Sequence, residues 1–98
     1  MTLPVFLTAE AEADLDEAAK WYEARCQGLG IEFVAEVRSA INFIATNSGI
    51  YAEIHAGLRR APVKRFPYGI FYYERDGRLN IAGVLHDRRN PTIWKSRV

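Results

Sequence analysis

His86 and the tyrosines at 72 and 73 are the side chains best suited to move a proton, because a histidine ordinarily titrates near ~6.5 and a phenol can donate or accept. Around them in sequence stand six cations, Arg59, Arg60, Lys64, Arg65, Arg88 and Arg89. Such a set could bind an anionic group and transfer a proton beside it, or it could bind a polyanion with no chemistry at all. The plainer reading of His86, at the end of an apolar run, is a surface or hydrogen-bonded structural residue. Arg59 and Arg60 are neighbours, so on a strand they point to opposite faces; by parity Arg65 falls with Arg59 and Lys64 with Arg60.

The cations are unevenly spread. Of the 98 residues, the first 49 hold three Lys/Arg against eight Asp/Glu, and the remainder ten against four. A formal net charge of +1 thus conceals an acidic first half and a basic second half that interleaves with aromatics, a pattern compatible with nucleic acid or an acidic protein segment. The exposed basic set is read as a recognition surface.

Other chemistries find no support. Gly28-Leu29-Gly30 lacks the third glycine of a dinucleotide loop, Phe33 standing in its place, and no serine lies in a nucleophile-elbow pattern. The single cysteine, Cys26, cannot form an internal disulfide, and with His55 and His86 it does not make a zinc site. No metal and no cofactor is expected. Asp14 with Glu17, and Glu32 with Glu36, are read as solvating the polar sides of helices. Acids at 10, 12 and 14 interrupt any apolar run that could act as a signal or span, so a soluble, cytoplasmic protein with no membrane partner is expected.

The elements that position these groups follow from periodicity. Leu3 to Leu7 reads as a strand. Thr8 is an N-cap followed by acids, and Ala11, Leu15, Ala18, Tyr22 and Cys26 form a stripe on a helix from about Ala9 to Cys26. Trp21 lies off that stripe. A second stripe through Phe33 or Val34, Val37, Ala40, Ile41 and Ile44 predicts a helix ending near Thr46, and the short link makes the pair an antiparallel hairpin. Asn47 to Gly57 is expected to be a loop or single turn. Three strands follow, Leu58–Phe66, Tyr68–Arg75 and Leu79–Asp87, with Asp76-Gly77 as a tight hairpin turn. Tyr68, Ile70 and Tyr72 share one face of the middle strand, and Gly69, Phe71 and Tyr73 the other. The core needs one of these rows.

The expected architecture is α+β: a strand, a helical hairpin, then a three-stranded antiparallel sheet with the helices on one face. The other sheet face is expected to have nothing in the chain to cover it.

In this order of elements, several stretches resemble the ParE/RelE superfamily of type II toxins. They are Ala13-Asp14-Leu15, Trp21-Tyr22, Phe66-Pro67-Tyr68-Gly69-Ile70-Phe71-Tyr72, and His86-Asp87-Arg88-Arg89-Asn90-Pro91 with Trp94, whose spacing looks ParE-like. The resemblance spans nearly the whole chain and implies one toxin domain over residues 1–98, held by a cognate antitoxin in a hetero-oligomer. It implies DNA gyrase as target for a ParE-like member, with Arg60, Arg65, Arg88, Arg89 and Trp94 on the target surface and Trp21 and Tyr72 on the antitoxin surface. For a RelE-like member it implies metal-independent cleavage of mRNA on the ribosome, carried by His86, Arg65 and Arg89. A third possibility is a non-toxic module that only binds antitoxin. Two residues depart from the family pattern: Ser48 stands where many relatives have proline, and Asp87 where many have glycine, its carboxylate offsetting charge at the tail.

Overall fold

The computed structural model describes residues 2–97. In chain order the elements are β1 (Val5–Leu7), α1 (Ala9–Arg25), α2 (Leu29–Thr46), β2 (Glu53–His55), β3 (Leu58–Pro62), β4 (Tyr68–Arg75), β5 (Arg78–His86) and α3 (Pro91–Lys95). Thr8 caps α1, its hydroxyl accepting the Ala11 N–H at 3.1 Å, with Glu10 and Glu12 in the first turn where the helix dipole favours anions. The α1–α2 turn passes through Gly28 at φ 87°, which only glycine adopts at no steric cost. Gly28 carries no capping side chain, and the carboxylate of Glu23 on α1 does that work instead, accepting the N–H groups of Gly28 at 2.8 Å and Gly30 at 3.0 Å. At Gly30 the two helices pack too closely for a side chain: a Cβ there would lie 2.5 Å from the Ala19 carbonyl oxygen.

The sheet has five strands in the order β1-β5-β4-β3-β2, with β1 parallel to β5 and the other pairs antiparallel. This corrects the three-stranded antiparallel expectation in two places. The N-terminal strand joins the sheet beside β5, Val5 opposite Leu79. The segment expected to be loop contains β2, which folds back on β3 through Ala56 (φ 47°) and Gly57 (φ 85°). Two successive positive φ values are the geometry of a primed hairpin turn, the same one built by Asp76 and Gly77. An Ala-Gly pair and a three-residue, wholly exposed strand give no periodic signal, so pairing alone reveals β2. Its register is irregular between Glu53 and His55, and such a bulge on an edge strand discourages edge-to-edge association. The strand expected to run to Phe66 stops at Pro62, beyond which the chain turns.

α1 and α2 cover one sheet face. Ala11, Ala18, Phe33, Val37 and Ile44 from the helices meet Ile70, Tyr72, Leu79, Ile81 and Val84. The row Tyr68-Ile70-Tyr72 is therefore the one the core takes. Phe71 pairs with Gly83 but Tyr72 with Ile81, leaving Ala82 as an extra residue on β5. That bulge turns both Ile81 and Val84 toward the helices and sends Ala82 and Leu85 to the other face. The other face is not bare, contrary to expectation: Ile93 and Trp94 pack on a second cluster of Leu58, Phe71, Ala82 and Leu85. Among the described residues no helix is long and apolar enough to cross a membrane.

Tyr72 is fully buried, and its hydroxyl donates to the Ser48 carbonyl at 2.8 Å. Tyr72→Phe is expected to cost about 1 kcal/mol of stability, the worth of one partly buried hydrogen bond. Tyr72→Ala should cost about 3–5 kcal/mol through lost burial and a cavity. Urea unfolding of the three proteins measures both; a neutral Tyr72→Ala would mean the ring is not core.

Candidate functional site

The basic C-terminal end is built by a tight turn. After β5, the Arg89 N–H donates to the His86 carbonyl and the Arg88 N–H to His86 Nδ1, each at 3.0 Å. Because Nδ1 accepts, the neutral imidazole carries its proton on Nε2. The Asp87 N–H donates to Pro67 O at 2.8 Å, and Asn90 caps α3 through its side chain, with Pro91 at the start of the helix. The result places Arg88 and Arg89 on the exposed turn. Among the described residues neither makes an ion pair. Trp94 stacks on Phe71 with centroids 5.4 Å apart and 18° between planes, and Lys95 Nζ lies 5.7 Å from the indole.

His86, Arg89, Trp21 and Tyr68 share one groove, a cavity of about 700 Å³ between the second half of α1 and the ends of β4 and β5. The Tyr68 ring meets His86 edge-on at 5.3 Å. Burial, with Tyr22 and Glu17 nearby, raises the Tyr68 phenol above its ordinary 10.0, so it remains neutral. Trp21 is 50% exposed at the mouth, with the Arg25 guanidinium 3.5 Å over its ring. Neither stripe periodicity nor motif spacing links Trp21 to His86; the packing of α1 across β5 does.

Other expected site residues lie elsewhere. Arg60 crosses the α3 side of the sheet to pair with Asp87, which therefore neutralises Arg60 rather than its neighbour Arg88. Arg65 does not follow β3 parity, because the strand ends before it. It sits in the turn at φ 71°, bonded to Glu32 at 2.7 Å and 3.6 Å from Glu36. Glu32 and Glu36, read as solvation, instead hold this arginine. Arg65 thus does not line the groove that His86 and Arg89 share. Tyr72, expected to meet the antitoxin, is in the core; burial raises its phenol, against the opposing pull of Arg59. Asp14, also read as solvation, is largely shielded by the tail and β5. Among the described residues no group of His, Cys, Asp and Glu could hold a metal.

On the outer side of the hairpin, Ile31 is 75% exposed and, with Ala19, Val34 and Ala35, lines a shallow apolar groove between the two helices.

This arrangement of a helical hairpin on a small mixed sheet is similar to the fold of a solved chain described as the chromosomal ParDE TA system from P. aeruginosa. The two superpose with a TM-score of 0.72 at 19% identity, over 87% of this chain and 96% of that one. Residues 5–91 match the family model for the ParE toxin of the type II toxin-antitoxin system, parDE, and the chain belongs to that family. No curated protein matches its sequence.

Arg65 and Glu32 are half-exposed, and Glu36, though more shielded, is 3.6 Å away; ion pairs of that kind contribute little. Arg65→Ala is expected to lower stability by less than about 1 kcal/mol, with the loss fading in high salt. Urea unfolding at low and high ionic strength checks this; a large loss unaffected by salt would contradict it.

Proposed function

We propose that this chain is the toxin of a type II module, one toxin domain that a cognate antitoxin neutralises and that, once free, inhibits DNA gyrase in the cytoplasm by contact. The observation that carries the mechanism is the sorting of the cations. Arg60 and Arg65 pair with acids of the chain, whereas among the described residues Arg88 and Arg89 on the turn before α3, and Lys95 beside the stacked Trp94, make no ion pair. That is a binding surface: cations steer and orient, and a rigid aromatic anchors. Cleavage of RNA would need a base, an acid and cations converging on one phosphate, and Arg65 is held away by α2. The antitoxin is assigned to the apolar groove of the hairpin, around Ile31, and to Trp21, because an amphipathic segment supplies the apolar anchors such a groove lacks.

One observation favours the nuclease alternative: His86 and Arg89 line a common groove. The variants separate the two. For a contact inhibitor, His86→Gln should leave growth arrest and gyrase inhibition nearly unchanged, and Arg88→Ala with Arg89→Ala should weaken inhibition by roughly tenfold or more. For a nuclease, His86→Gln should lower ribosome-dependent mRNA cleavage by roughly 10²-fold or more. Growth after induction, supercoiling and mRNA cleavage, read at matched soluble expression, decide between them; unimpaired growth with the wild-type chain would leave only an antitoxin-binding module. Bound antitoxin should raise the melting temperature with the logarithm of its excess, and Trp21→Ala should reduce that gain.

A further inference from the structure

Asp14 lies in the second turn of α1 and Arg97 just beyond α3, yet they form the most shielded ion pair among the described residues, with side chains 12% and 15% exposed. The guanidinium grips both carboxylate oxygens, Nη1 to Oδ2 at 2.5 Å and Nη2 to Oδ1 at 3.3 Å. Each partner also serves β5: Asp14 Oδ2 accepts the Val84 N–H at 3.1 Å, and Arg97 Nη1 donates to the Ala82 carbonyl at 3.2 Å. The reason is topological. β1 ends at Leu7, opposite Ile81, so from Ala82 onward the outer edge of β5 has no neighbouring strand. An acid from α1 and a base from the tail supply the acceptor and the donor that a strand would have offered. Gly83 leaves the space they occupy, since a Cβ there would lie 2.8 Å from Arg97 Nη1 and 3.3 Å from Asp14 Oδ2.

A helix of five residues does not hold itself in water. α3 is held against the sheet by Ile93 and Trp94, and by Arg97 just beyond its end. Apolar packing is non-directional and fixes chiefly the distance from the sheet; a two-pronged ion pair at the far end fixes the direction. We infer that Asp14, far in sequence from the tail, is a positioning residue for target binding: its pair with Arg97 latches α3 in the pose that presents Arg88, Arg89 and Lys95. This rests on the reading of the tail as the target surface given above, and adds to it that the surface is set from α1.

The test uses the full chain, with amide hydrogen exchange over residues 92–97 reporting the latch and gyrase supercoiling reporting the target. Asp14→Asn keeps an oxygen for the Val84 N–H but removes the charge; Arg97→Gln changes only the tail. Each should speed exchange in α3 by at least about tenfold while β4 and β5 remain protected, and should weaken gyrase inhibition by about tenfold. The double variant should be scarcely worse than either single one, since both break the same contact. Gly83→Ala should act in the same direction without altering any charge, so that a poorly folding Asp14→Asn leaves two independent probes. Unchanged α3 exchange in both Asp14→Asn and Arg97→Gln overturns the latch, and additive losses argue against a shared contact. A released tail with undiminished gyrase inhibition overturns the positioning role. A wild-type chain that leaves gyrase untouched overturns the contact-inhibitor reading instead, and the exchange data then decide the latch alone.

Discussion

β5 is the strand on which the rest of the molecule depends, because its backbone must be satisfied on both edges while its side chains are buried on both faces. β4 serves one edge along its whole length. The other edge is served in two parts, by β1 as far as Ile81 and by side chains thereafter. Leaving those groups unpaired next to the core would cost as much as several good contacts provide. The constraint explains why a carboxylate on α1 is turned inward, why a glycine sits at position 83, and why the chain's last turn returns to the first helix. β1 and the tail after α3 are thus both tied to one strand.

The same strand divides the protein's surface. Its bulge at Ala82 splits the apolar side chains between two faces, so the helical hairpin and the short tail each have a cluster of their own to cover. The hairpin is long enough to bury a full core and still expose an apolar groove on its far side. The tail covers only four residues and is otherwise basic. Two surfaces of opposite character result, one suited to an amphipathic segment and the other to a target that welcomes cations.

Electrostatic sorting completes the division. The cations of the second half seem equivalent as a list, but folding spends some of them: Arg65 closes a loop against α2, Arg60 meets Asp87, and Arg97 grips Asp14. None of the half-exposed pairs adds much stability. Their effect is to decide which positive charges remain available, and among the described residues of the tail those are Arg88 and Arg89 on the turn before α3 and Lys95 within it.

Periodicity and turn chemistry determined the two helices to within a residue or two, β4 and β5, the Asp76-Gly77 hairpin and the α+β class, because each depends on local patterning and burial on one face. Membership of the ParE-like group was legible from the aromatic strand and the spaced ending His86 to Trp94. Whatever depended on pairing between distant segments was not legible. The sequence carries no sign that β1 lies parallel to β5, that an exposed Glu-Ile-His forms a fifth strand, or that Asp14 answers Arg97 across 83 positions. Nor could it choose between the two alternating rows of β4, since both are apolar enough to be core; Tyr72 went inside because the hairpin had to cover the face it shares with Ile70. Local sequence sets what each segment can be, and only the tertiary structure, by satisfying every edge and charge together, decides which side chains are left to meet a partner.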